Sequence, residues 1–100
     1  MRPFNLSDDA LAEVKAILKH WNPCVEVWAY GSRVDGLSHE GSDLDLVVRN
    51  PSNLETPIEN FSQIKQLFRD SNLPFLVDVM DWARLSPSFR DEIRQQYVVI

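Results

Sequence analysis

One hundred residues, 44% hydrophobic and 25% charged, have the make-up of a single ordinary globular domain, spanning residues 1–100 and far from disordered or membrane-embedded compositions. Fifteen acidic against ten basic residues leave a net charge of −5, which lacks the basic footprint that drives binding to a phosphate backbone and argues against nucleic acid as the main partner. The lone Cys24 excludes an internal disulfide, the N-terminus carries no apolar export segment, and no apolar run approaches membrane-spanning length, so a cytoplasmic protein without membrane contact is expected.

The first predicted element is a helix. Ser7 is its N-cap, Asp8 and Asp9 favour the first turn, and Leu11, Val14, Ile17, Leu18 and Trp21 recur at helical spacing. Asn22-Pro23 ends it, because proline forces its predecessor out of helical geometry. Cys24 to Tyr30 then reads as a strand, followed by the tight turn Gly31-Ser32, and Asp43-Leu44-Asp45 opens a second strand through Leu46-Val47-Val48. Side chains alternate along a strand, so Asp43 and Asp45 share a face at roughly 7 Å backbone separation.

Two like charges on one face repel unless a cation stands between them, and Mg²⁺, a hard ion that takes one or two carboxylates and completes its shell with substrate phosphates, suits them. Gly31 allows close backbone approach, Ser32 offers a hydroxyl and N–H groups, and Arg33 adds a fixed positive charge.

Thr56-Pro57-Ile58-Glu59 has the form of a capping box with proline at the first helical position, and predicts a helix with Ile58, Phe61, Ile64, Leu67 and Phe68 on its inner side. Pro74 to Met80 reads as a third strand, with Asp78 set between Val77 and Val79. A charge in an apolar strand is costly without a partner. Asp81 has the opposite parity and belongs to the turn before Trp82. Ser86-Pro87 starts a last helix to about Gln95, with Phe89 and Ile93 inward, and the apolar tail Tyr97 to Ile100 is open to two readings, an edge strand or a docking surface. Trp28 and Trp82 are expected in the core or at its rim, and His20 and His39 in solvent.

Gly31-Ser32, ten intervening residues, then Asp43-Leu44-Asp45 resembles the signature of the DNA polymerase beta-like nucleotidyltransferase superfamily, in a fuller form that Gly36 and Ser42 also match. At average residue usage the spacing is on the order of a one-in-a-thousand accident. The resemblance covers about residues 24 to 82. It implies an α/β (α+β) fold, a small mixed β-sheet with helices on one face and an open site on the other. It further implies that Asp43, Asp45 and Asp78 are catalytic and hold two Mg²⁺ ions, Mn²⁺ being an alternative, with Asp78 as the third carboxylate. Gly31, Ser32, Arg33 and Ser42 would hold the phosphates of ATP. Asp35 stands where relatives often carry a small residue.

A stand-alone chain of this size resembles the antitoxin half of HEPN/minimal nucleotidyltransferase toxin–antitoxin pairs. That implies transfer of AMP from ATP to a hydroxyl, a tyrosine, of an all-helical HEPN-like ribonuclease encoded beside it. The rival readings are a nucleotide-holding module that neutralises its partner by contact, and a small-molecule (antibiotic) nucleotidyltransferase.

Overall fold

The computed structural model describes residues 6–35 and 43–100. Helix α1 (Asp8–Trp21) starts where the sequence predicts: the Ser7 hydroxyl accepts the Ala10 N–H at 3.2 Å, and Lys19 and His20 occupy the last turn, complementing the helix dipole. After it, the Asn22 side chain accepts the Cys24 N–H at 3.0 Å. That local turn uses the residues expected to begin the first strand, so β1 runs from Glu26 to Tyr30 and leaves Cys24 exposed.

Gly31 then leads into the single turn α2 (Ser32–Asp35), β2 spans Leu44–Arg49, α3 Phe61–Arg69, β3 Val77–Asp81, α4 Pro87–Gln95 and β4 Val98–Val99. The four strands lie in the order β3-β2-β1-β4. β1 is antiparallel to β2 and β4, whereas β2 and β3 are parallel, joined by the crossover that contains α3. The sheet is therefore mixed, and the apolar tail takes the strand reading, as the edge beside β1.

Alternation divides the sheet cleanly. Val27, Ala29, Leu44, Leu46, Val48 and Val79 face α1 and α3, which contribute Val14, Leu18, Ile64 and Phe68 to the principal core. Each such side chain contributes roughly 1.5–3 kcal/mol when fully buried. Trp28 and Val47 face the other way, where Trp82, just after β3, and Ile93 of α4 close a smaller cluster. There the Arg49 guanidinium lies 3.7 Å from the Trp28 ring centroid and 4.5 Å from that of Trp82, while Tyr97 stacks on Trp28 at 3.8 Å and Glu26 pairs with Arg49 at 2.7 Å. α1 and α3 are thus the helices on the expected covered face, and α4 adds a partial cover to the other.

Two further boundaries differ from the sequence reading. The capping box at Thr56 starts no helix. Instead the Ile58 N–H donates to the buried Asp81 carboxylate at 3.0 Å, the Trp21 indole N–H donates to the Asn60 carbonyl at 3.1 Å, and Asn60 takes a left-handed φ of 57°. These long-range bonds hold residues 58–60 out of helical geometry, so α3 begins at Phe61 without a side-chain cap. β3 is shifted towards the C-terminus and ends in Asp81, which also accepts the Ala83 N–H at 3.2 Å and so caps the 3₁₀ turn over Trp82–Arg84. α4 keeps its predicted start, with Ser86 accepting the Phe89 N–H and Pro87 in the first turn.

Candidate active site

The site is assembled where β1 ends and β2 begins. Gly31 has φ of 81°, a left-handed conformation that any side chain resists, and a Cβ at this position would collide with Oδ2 of Asp45. Glycine here therefore serves both the turn and the close passage of backbone over a carboxylate. The Val34 N–H closes the turn on the Gly31 carbonyl at 3.0 Å, and Ser32 becomes the first residue of α2, half-buried at the sheet end.

Asp45 lies on β2 between two neighbours in register: Tyr30 of β1 on one side and Asp78 of β3 on the other. All three side chains point to the face that α1 and α3 leave open, since the residues flanking Asp45, Leu44 and Leu46, are buried in the principal core. Adjacent strands are about 4.8 Å apart, which sets the two carboxylates side by side. Asp43 precedes β2 by one residue and is exposed, as is Asp78, while Asp45 is half-buried.

The electrostatics follow from that crowding. Burial first, then the charges of Asp78 and Asp43, push the Asp45 carboxyl up to about 6. Burial, and then the carboxylates of Asp45 and Asp78, push the Tyr30 phenol well above its ordinary range. Negative charge thus accumulates faster than the protein's own cations relieve it. Arg33 is 5% exposed, with its guanidinium 4.6 Å from the ring centroid of Phe75, which ties the turn to the segment leading into β3.

These donors suit a hard divalent cation: carboxylate oxygens, a shortfall of positive charge, and shared orientation. Among the described residues no three His, Cys, Asp or Glu side chains already stand close enough together to hold an ion. Asp43 and Asp78 are exposed, so rotation about their side-chain bonds is what would bring them to Asp45. Ser42, Gly36 and His39 lie outside the described residues, as does the side chain of Asp35.

Residues 12–100 match the family described as polymerase beta, nucleotidyltransferase. The chain belongs to the polymerase beta nucleotidyltransferase family. A relative from Haemophilus influenzae bearing the name "Probable protein adenylyltransferase MntA" is 42% identical over 98 residues, covering 96% of this nucleotidyltransferase and 82% of the relative. A solved structure described as "Crystal structure of the toxin-antitoxin with AMP-PNP" superposes with a TM-score of 0.69 at 21% identity, covering 94% of this chain and 72% of that one, which establishes the shared fold. No helix among the described residues is long and apolar enough to cross a membrane.

Two features of this nucleotidyltransferase's site were not read from its sequence. Sequence marks Tyr30 only as a strand end, whereas its register with Asp45 sets it beside the carboxylates. Alternation with Trp28 was the available signal for its face; the pairing with Asp45 depends on a loop length that sequence does not convert to register. Phe75 as the seat of Arg33 had no local signal at all, being 42 positions away in the chain.

Proposed function

We propose that this nucleotidyltransferase transfers AMP from ATP to a hydroxyl of a partner protein, acting in the cytosol as the antitoxin of a toxin–antitoxin pair. The observation that carries the reading is the in-register pair Asp45 and Asp78 beside the Gly31 turn, a clustered negative charge of the kind that a metal-bound triphosphate relieves. The name of the 42%-identical relative and the description of the fold neighbour support protein as acceptor and an adenine nucleotide as donor.

In this scheme Asp43 and Asp45 would hold one Mg²⁺ and, with Asp78, a second; bound there, the ions would supply charge neutralisation for the triphosphate and a lowered pKa for the acceptor hydroxyl. The chain's own groups do the rest. Gly31, Ser32 and Ser42 hold the β- and γ-phosphates, while Arg33, buried against Phe75, braces the turn that presents them. Asp78, on the outer strand of the sheet, faces the acceptor and takes its proton as the acceptor oxygen bonds to the α-phosphorus and the bond to the pyrophosphate oxygen breaks. The acceptor is a tyrosine of a HEPN-like, all-helical protein encoded beside this one.

The test is to incubate the pure chain with labelled ATP, Mg²⁺ and that neighbour, and to weigh the neighbour. A gain of one or more AMP units that disappears in Asp43→Asn and Asp45→Asn is the expected result. Cells protected from the toxic neighbour equally well by both variants, with no mass gain in any sample, would replace transfer by neutralisation through contact.

A further inference from the structure

A cleft of about 450 Å³ opens directly beside the Gly31 turn, between the end of β1 and the inner side of α4. Its size is that of a small-molecule site. Tyr30 and Phe89 form one wall, their rings meeting edge to face at 5.9 Å, and Ile93 lies at its floor. Glu92, Gln95 and Gln96 supply the polar lining. One of the two amide N–H groups of Gln96 is committed to the Val34 carbonyl at 3.3 Å, which fixes the amide and leaves its carbonyl oxygen and one N–H for the cleft. The Glu92 carboxylate accepts only, so the cleft sets one acceptor-only group and the Gln96 carbonyl, beside the amides of Gln95 and Gln96, against aromatic and aliphatic walls.

The sheet order decides which half of a transfer reaction meets this cleft. β3 and β1 flank β2 on opposite sides, so Asp78 and the cleft lie on opposite sides of Asp45. If Asp78 faces the acceptor, the cleft lies on the nucleotide's side. The Glu92 carboxylate repels phosphate, and the aromatic walls suit a flat ring, which leaves the base. We propose that the cleft between Tyr30 and α4 is the nucleobase subsite, and that the acceptors of Glu92 and Gln96 read the exocyclic amine of adenine. A base with a carbonyl at that position sets its oxygen against the Glu92 carboxylate, which has no proton to donate. Glutamine is an established partner of the adenine edge, where its carbonyl takes the amine hydrogen. The inference rests on the nucleotidyl-transfer reading and adds the residues that choose the base.

Calorimetry on the whole chain, with Mg²⁺ present, tests it using ATP and ITP, whose bases differ on one edge, an amine against a carbonyl at C6 and an acceptor against an N–H at N1. Adenosine and inosine repeat the comparison without phosphates, and inorganic tripolyphosphate reports the phosphate half alone. ATP should bind about tenfold or more tightly than ITP, as the gain or loss of one hydrogen bond with an unpaired acceptor implies. Glu92→Lys, an exposed position whose change leaves the fold intact, should shrink or invert that ratio, and Phe89→Leu should weaken adenosine but not tripolyphosphate. Equal affinity for ATP and ITP, or a ratio unmoved by Glu92→Lys and Gln96→Leu together, overturns the assignment. Failure of tripolyphosphate to bind while adenosine still outcompetes inosine would instead remove the transfer reading and leave the subsite standing.

Discussion

Gly31 passes so close to Asp45 that a single added methyl group would meet the carboxylate oxygen. Two penalties fall on Gly31→Ala: the left-handed φ, costing about 1–2 kcal/mol for a residue with a Cβ, and the collision itself. Gly31→Asn separates them, because asparagine tolerates the dihedral and suffers the same collision. Urea unfolding is expected to show both variants destabilised, with Asn recovering only part of the loss, and ATP affinity reduced in both. An alanine variant as stable as the parent would show that neither constraint is real.

The pH dependence of stability has a definite sign. The Asp45 carboxyl is held at about 6 against its ordinary value of 3.8, by burial first and then by Asp78 and Asp43, with the Tyr30 phenol neutral beside it. A raised carboxylate binds more protons folded than unfolded between those values, so its contribution weakens the metal-free fold as pH climbs from about 4 to about 6. Asp45→Asn should therefore melt above the parent at pH 7, and the advantage should fade as pH falls towards 4. The difference in melting temperature between the two proteins, followed across that range without metal, measures this. A flat difference would mean that Asp45 is no more strained than a solvated carboxylate.

How much of this was legible beforehand can be judged residue by residue. The site's core was, because Gly31-Ser32 and Asp43-Leu44-Asp45 are local, and strand alternation carries a carboxylate to a face without knowledge of the rest of the chain. Asp78 stood out because a charge in an apolar strand needs a reason. What local pattern missed was decided at a distance. The Thr56 capping box satisfies every short-range rule, yet Asp81 and Trp21 hold residues 58–60 through bonds spanning 23 and 39 positions. Likewise, α4 lying on the site face and the Arg33–Phe75 contact express packing between elements, which periodicity reports only as an apolar side awaiting a partner.

Asp78 and Asp81 offer a crossed comparison three residues apart. Asp81 is 3% exposed, faces away from the site and accepts the N–H groups of Ile58 and Ala83. Removing it in Asp81→Ala strands buried donors, an expected loss of about 1–3 kcal/mol. Asp78→Ala should change stability little or favourably, since it relieves repulsion on Asp45, yet abolish transfer. Denaturant midpoints and transfer rates per folded molecule, compared in a double table of variants, test both halves. If Asp81→Ala loses transfer at full stability, the assignment of the third carboxylate is reversed.

Nucleotide and metal should bind as one. Three clustered carboxylates repel a triphosphate, and the pair Asp45 and Asp78 already repel each other. ATP alone is therefore expected to leave the melting temperature nearly unchanged, and Mg²⁺ alone to raise it modestly by relieving that repulsion. Together, at a hundred times the dissociation constant, they add about 2.7 kcal/mol, which for a chain of this length is roughly 10–20 °C. Mn²⁺ should substitute, since it accepts the same oxygen donors. Ser32→Ala should reduce the joint shift more than Asp78→Ala, because Ser32 stands at the phosphate turn and Asp78 on the acceptor side. Thermal melts with ATP, with each metal, and with chelator in excess separate these cases. Equal stabilisation by ATP in chelator would mean that the carboxylates are not where the triphosphate binds, and would turn attention to the base cleft as the dominant source of affinity.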